Sequence, residues 1–429
     1  MLSNVDPDYP IDPVPKPARR SAFSVLVVLL GFTFFTPTML AGAQVGAAFS
    51  FGEFLGVLLL GSAVLGLYVA VLGAIGARTG LTTVLMSRYA LGSVGAKGAS
   101  LLLGGTQVGW YGVAAAALAD LTAQAFGWGS GAEQLLMVAA GALMGVTAYY
   151  GYRGMYWLSA VSIPPMFVLA FWVVARSLGE VDGWAGLTGR EGTGTLGLAA
   201  AVTIIVGTFA SGGTQAPNWT RFARSGTQAF WAALAAFLVG NGLMLFFGAT
   251  GAIAFGQADF VLVLYELGLV AWGLVLLVGN LWTTNDNAAY AFGVAGAEIF
   301  NRPDKRPFVV GGVVLGTLLA VSGVYDWLTT YLLWLGIVIP PLGGVIIGDW
   351  LRSWRRGLPE PATHGFPAVR WGNLAAYAVG ALTAWGTGEL GWGVPPVNGV
   401  LAAMLAVWIF GLFTTERAPT RTEARETPR

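Results

Sequence analysis

Long apolar runs, separated by short polar connections, set the pattern of this chain. A helix crossing a bilayer takes about 20 mostly apolar residues. Twelve stretches meet that demand: 22–48, 51–75, 98–125, 134–152, 155–178, 196–218, 228–255, 262–296, 308–324, 327–350, 371–388 and 397–415. Two of them are interrupted by glycine, proline and hydroxyl residues. The first interruption reads Gly31-Phe-Thr-Phe-Phe-Thr-Pro37-Thr-Met-Leu-Ala-Gly42, the second Gly207-Thr-Phe209-Ala-Ser211-Gly212-Gly213-Thr-Gln-Ala-Pro217. A helix in hydrocarbon satisfies its own backbone, so a broken one is tolerated only within protein or against a water-filled cavity. Paired breaks at corresponding places in two halves mark the substrate site of a secondary transporter.

Composition makes the membrane reading firm. Of 429 residues, 56% are hydrophobic and 10% charged, against roughly 25% charged in soluble domains. The expected class is an all-α polytopic membrane protein. There is no cysteine, so disulfide and thiol chemistry are excluded. The lone histidine, His364, reads as a solvated loop residue, and a multi-histidine metal centre is excluded. With so small a reactive set, a membrane enzyme is disfavoured.

Charge placement then orients the spans. Twenty of the 22 Lys and Arg residues fall on alternate connections and both tails, while only Arg176 and Arg190 fall on the opposite side. Basic residues stay cytoplasmic, so both termini are expected inside. Span 1 starts inside and span 6 outside, which gives two five-helix halves of opposite topology. The expected organisation is a first inverted repeat over 21–178, a second over 196–350, and two added helices over 371–415. Residues 1–20 and 416–429 read as disordered cytoplasmic tails. Residues 79–92 are too short and mixed to cross and are expected as a cytoplasmic interfacial helix; 180–195 is expected as an external loop. The first span exceeds the 7–15-residue core of a signal peptide and is expected to stay in the mature chain.

Three spans carry candidate chemistry. In span 3, Gln107 and Trp110 share a helix face among Gly104, Gly105, Gly109 and Gly112. An amide and a flat aromatic face suit a polar heterocycle, and a Gly-rich packing interface is the plainer reading. In the span 6 break, Phe209 and Ser211 stand beside Gly212 and Gly213, so Trp110 and Phe209 could sandwich a ring; an aromatic-packed kink is the alternative. In span 8, Asn280, Thr283, Thr284 and Asn287 share one face within a run of polar residues that is costly in hydrocarbon unless partnered. Two hydroxyls and a free carbonyl suit a hard, oxygen-seeking cation such as sodium, and carbonyls freed at the span 1 break, those of Gly31 and Phe34, could complete the shell. Alternatively, the threonines bond back to the i−4 carbonyl. Asp286 points off this face and reads as a structural partner, with Asp120 at the outer boundary; both are the candidates for a rival proton pathway. Pro340-Pro341 in span 10 reads as a hinge.

Six runs, taken together, resemble the bacterial cytosine permeases of the nucleobase–cation symport family 1, also called purine/cytosine permeases. They are Leu29–Phe35, Ile75–Thr83, Leu101–Trp110, Leu281–Ala288, Pro340–Ile347 and Val394–Asn398. The resemblance covers about 15–415. It implies a leucine-transporter-like fold and sodium-coupled uptake of a nucleobase, cytosine foremost, through the bacterial inner membrane. By the same resemblance, Trp110 and Phe209 form the stacking pair, and Gln107, Ser211 and Asn285 read the ring edge. The carbonyls of Gly31, Phe34 and Asn280 with the hydroxyls of Thr283 and Thr284 form the sodium shell. Sodium is then a transported co-substrate, with no organic cofactor, no nucleic acid and no obligate protein partner. Two stretches depart from the family: Thr214–Phe222, where an acidic residue is expected, and Leu40–Gln44. They leave open a proton-coupled carrier of another pyrimidine, a purine, hydantoin or allantoin.

Overall fold

The computed structural model describes residues 6–257 and 259–413, with helices and connections but no strand among them. Helix α1 (Ala22–Thr33) and helix α2 (Thr36–Ala48) form one span bent by 63°. Phe34 and Phe35 between them are extended. Pro37 in the first turn of α2 has no N–H to continue the ladder from α1 but fits a helix start, so a new helix begins here after the extended pair. Helix α3 (Phe51–Thr79) starts from a Ser50/Glu53 capping box and stops at left-handed Gly80, as helix ends commonly do.

Helix α4 (Thr83–Phe126) is two helices joined at Gly92, whose φ of +86° no other residue adopts readily. Its first nine residues form a separate helix where an interfacial one is expected, and the rest runs where the third span is expected. Helices α5 (Ser130–Tyr149) and α6 (Tyr152–Glu180) follow, and the outer connection expected over 180–195 contains a short helix, α7 (Gly183–Thr188). The sixth span is α8 (Leu198–Thr214), non-helical at Phe209, followed by the single turn α9 (Pro217–Thr220). Helix α10 (Gly226–Ala235) passes through a π-turn into α11 (Asn241–Phe255).

The span expected over 262–296 starts later. A short helix α12 (Phe260–Glu266) ends before Gly268, whose φ is +74°, and α13 (Val270–Ile299) makes the crossing. Helices α14 (Arg306–Val321), α15 (Leu328–Asp349), α16 (Trp371–Glu389) and α17 (Pro395–Phe410) complete the bundle. By length and composition seven helices among the described residues qualify as crossings, eight with the α1–α2 pair. Helices α13, α14, α16 and α17 supply the other expected spans, being more polar or shorter. Leu315, Leu318, Leu382, Leu401 and Leu405 on the outer helices are exposed, an apolar belt that suits lipid.

The expected disordered tail over 1–20 is corrected by the structure for residues 6–20; residues 1–5 and the tail over 416–429 lie outside the described residues. Residues 6–20 form a strap across the arginine-bearing end of the bundle. Lys305 places its ammonium 3.0 Å from Asp6 and 2.9 Å from Asp8, and the Lys305 and Asp6 side chains are at most 1% exposed. Buried Arg221 donates to the Tyr9 carbonyl at 2.6 Å and to the Asp8 carbonyl, and to the Tyr290 hydroxyl at 3.0 Å. Val14 donates to Gly80, and Arg19 donates to Ala77 at 2.6 Å. Composition marks this segment as unable to bury itself, yet it folds because the bundle supplies a buried ammonium for its carboxylates and a buried guanidinium for its carbonyls. His364 is a half-buried connection residue: it stacks on Tyr89 with ring centroids 5.9 Å apart, against Trp354 and Phe366.

Candidate functional site

The two breaks meet in the centre of the bundle. Phe209 at the α8 break lies 5.2 Å, centroid to centroid, from Phe32 at the end of α1 and 6.3 Å from Phe35 in the α1–α2 gap. Close approach is possible because residue 212 is glycine: a Cβ there would stand 2.5 Å from Phe32 Cζ. Across the gap, α4 presents Gln107 and Trp110, and α13 presents Thr284 and Asn285. These residues, with Phe32, Phe35, Phe209 and Thr208, line one cavity.

Four aromatic rings and a few polar groups make this a pocket for a small, flat, polar molecule. The cavity is shut down to about 10 Å³, room for about one water. Trp110 and Phe209 do not touch. Phe35 packs edge-on against Trp110, with centroids at 5.5 Å, as well as against Phe209. A ring sandwiched by Trp110 and Phe209 therefore requires Phe35 to swing aside. Tyr331 on α15 closes the far side of Trp110 at 5.4 Å and donates to the Thr106 carbonyl at 2.7 Å.

The polar groups are unevenly satisfied. Gln107 Nε2 donates to Ser211 Oγ at 2.9 Å, and Ser211 Oγ also bonds the Thr106 hydroxyl at 2.5 Å. Ser211 is thus placed behind the lining, where it orients Gln107. Asn285 Nδ2 donates to the Tyr111 carbonyl at 3.3 Å and to Met144 Sδ at 3.1 Å. The other end of each amide, Gln107 Oε1 and Asn285 Oδ1, is buried without a partner. A buried unpaired acceptor costs about 1–3 kcal/mol, and two of them beside one cavity fit a ligand with N–H groups on its edge.

Directly beside the cavity lies a cluster of oxygens. Thr284 Oγ1 stands 3.5 Å from the Gly31 carbonyl, 3.2 Å from Phe32, 3.3 Å from Phe34 and 3.2 Å from Asn280. One hydroxyl proton can serve only one of these four acceptors at a time. The surplus of neutral oxygens, with no His, Cys, Asp or Glu grouping of three among the described residues, suits a small monovalent cation rather than a transition metal. Thr283 stands further back, donating to Gly279 at 2.8 Å and Asn280 at 3.0 Å; it is the back-bonded threonine of the plainer reading and reaches the cluster only through the Asn280 carbonyl. The Asn280 side chain accepts from Thr36 N at 2.5 Å and Thr36 Oγ1 at 2.8 Å, so it caps the half-helix α2 from another span. Asn287 donates to Thr283 O at 2.7 Å and to Asp286 Oδ1 at 3.0 Å, which leaves Asp286 buried off the cluster.

Phe35, Phe32, Thr36, Thr106 and Tyr331 carry no sequence signal beyond aromatic or hydroxyl character. The extended φ/ψ at 34–35 is what aims Phe35 into the cavity.

Residues 13–411 match the family model described as permease for cytosine/purines, uracil, thiamine, allantoin. This chain belongs to that permease family. It is therefore a transporter and not an enzyme. The cytosine permease of Escherichia coli strain K12 is 37% identical over 407 residues, 94% of each chain. Among solved structures, the nucleobase-cation-symport-1 family transporter Mhp1, closed with bromovinylhydantoin bound, aligns at TM-score 0.83 with 20% identity over 99% of this chain and 98% of that one. Its inward-facing form aligns at 0.78, with 19% identity over 97% of each. The permease thus shares the Mhp1 fold as a multi-pass membrane protein.

Proposed function

We propose that this permease imports a nucleobase, cytosine foremost, together with sodium by alternating access. The observation that carries the reading is the double duty of Thr284, which lines the aromatic cavity and also stands in the oxygen cluster of the α1–α2 break. A cation drawn to the Gly31, Phe34 and Asn280 carbonyls, with Thr284 and Thr283 alongside, fixes the break. The break carries Phe32 and Phe35, so cation and ring each organise the other's site. Trp110 and Phe209 stack the ring; Gln107 and Asn285 offer their free amide ends to its edge, and Ser211 holds Gln107 in place. The 37%-identical cytosine permease supports cytosine as the ring.

Residues 21–178 and 196–350 act as inverted repeats that rock about this site, with 371–415 as an appendage. The arginine-rich end with the strap faces the cytoplasm, and the carrier sits in a bacterial inner membrane without a protein partner. The driving force is adequate: one charge moving through 100 mV supplies about 2.3 kcal/mol, and a tenfold sodium gradient adds about 1.4. The sum supports accumulation of several hundredfold.

The test is uptake of radiolabelled cytosine into proteoliposomes at fixed pH, with sodium replaced by choline. Uptake should collapse without sodium. Undiminished uptake, with accumulation driven by a pH gradient, would transfer the coupling to a proton. A thermal-shift panel of pyrimidines, purines and hydantoins, with and without sodium, fixes the ring.

A further inference from the structure

A cavity with more room than the central one lies elsewhere in the bundle. It lies at the arginine-bearing end, has about 390 Å³ of free space, and is lined by Arg78, Trp350, Trp354, Arg355, Arg356 and Glu360 among others. Its walls are the last turn of α3, the π-turn that ends α15, and the proline-rich connection that follows.

The arginines of this region divide into two sets. Arg370 is fixed 2.7 Å from Asp349 and donates to the Tyr89 carbonyl, and Arg352 donates to the Gly411 carbonyl. Both are structural. Arg78, Arg355 and Arg356 have no carboxylate partner among the described residues. Arg78 lies 5.5 Å from the Trp350 ring centroid, a cation–π contact that holds the guanidinium without neutralising it. Glu360 is the only acidic group in the lining, so three cations face one anion. Trp350 and Trp354 are the residue type that settles at a membrane–water boundary.

We propose that this cavity binds a phosphate-type anion, with the phosphodiester headgroup of an anionic phospholipid as the ligand. The free guanidiniums supply planar, paired donors to phosphate oxygens. The two tryptophans in the lining suit headgroup depth. Basic pockets at helix ends recognise such headgroups. The site is separate from the central cavity and shares no lining residue with it.

The experiment is native mass spectrometry of the purified, full-length protein. The protein is exchanged into detergent with equal phosphatidylglycerol and phosphatidylcholine, then compared with the double variant Arg355→Gln/Arg356→Gln. Two lost cations should lower retained phosphatidylglycerol roughly thirtyfold and leave phosphatidylcholine unchanged. The same preparations are run in a thermal-shift assay with inorganic phosphate and with glycerol 3-phosphate. Protection by these soluble anions, lost in the variant, keeps the anion site and reassigns its source from lipid to free phosphate. Equal phosphatidylglycerol retention by parent and variant, or no preference over phosphatidylcholine together with no protection by soluble phosphate, overturns the proposal. Neither substituted residue lines the central cavity, and an unchanged melting temperature without ligand verifies that the variant folds.

Discussion

Replacing Lys305 with methionine tests whether the strap holds its end of the bundle shut. The Lys305 ammonium is the cation for two buried carboxylates, with Asp6 and Asp8 at 3.0 and 2.9 Å. Arg221 does not substitute for it, since its bonds go to backbone carbonyls and to Tyr290. Lys305→Met keeps the apolar stem and leaves both acids in place without a counter-charge. Breaking a buried pair in this way costs about 3–5 kcal/mol. The chain can avoid that cost by releasing residues 6–20 into water, so the release becomes favourable by a factor of about 10² or more. The absence of cysteine makes the readout direct: Ala288→Cys, on the central cavity wall, is the only thiol in the molecule. In proteoliposomes, an impermeant maleimide presented on the strap side should label Cys at 288 at least tenfold faster in the Lys305→Met background. The triple variant Asp6→Asn/Asp8→Asn/Lys305→Met removes the stranded charges and should recover much of the protection. Labelling that is unchanged in Lys305→Met, with unchanged melting temperature, would refute the reasoning; so would a triple variant no better protected than the single one.

Four further outcomes are expected. Trp110→Ala removes one face of the stack, worth about 1–3 kcal/mol per base, so cytosine affinity by calorimetry should fall roughly 5- to 150-fold while the fold persists. Thr284→Ala removes the hydroxyl shared by cavity and oxygen cluster; the sodium concentration for half-maximal binding should rise about tenfold, more than cytosine affinity falls at saturating sodium. Gly212→Ala drives a methyl to 2.5 Å from Phe32 Cζ, an overpacking that should cost about 1–3 kcal/mol and lower both melting temperature and cytosine binding. At the connection between α11 and α12, burial pushes the Asp259 carboxyl up from 3.8 to about 7, with the Val261 N–H opposing the rise and Asp120 adding to it. The folded state then keeps its proton after the unfolded chain has lost it, so stability should fall as pH rises from about 4 to 7, by at most about 1.4 kcal/mol per unit. Asp259→Asn should flatten that slope in urea or thermal melts.

Signals that act over a few residues were readable in the chain alone. Apolar length gave the spans, because a bilayer sets a minimum run. Pro37 and Gly212-Gly213 announced the two breaks, because a missing N–H or Cβ acts on its own turn. The polar run 280–287 announced a partnered interior face. Apolar length by itself misplaced one boundary: α13 begins at Val270 because Gly268, at positive φ, ends the short helix before it, a local stop inside an otherwise apolar run. The strap is the clearest case, since its carboxylates meet a lysine almost 300 residues away, and composition alone marks the segment as disordered. Helical periodicity placed Thr283 and Thr284 on one face, but only the approach of the α1 end decided that Thr284 reaches three carbonyls of another span besides its own i−4 carbonyl, while Thr283 bonds only back along its own helix. Phe35 enters the cavity through an extended φ/ψ that the break permits without specifying. Local chemistry fixes where a chain can bend or cross, and packing between distant segments decides what stands opposite each side chain once it has.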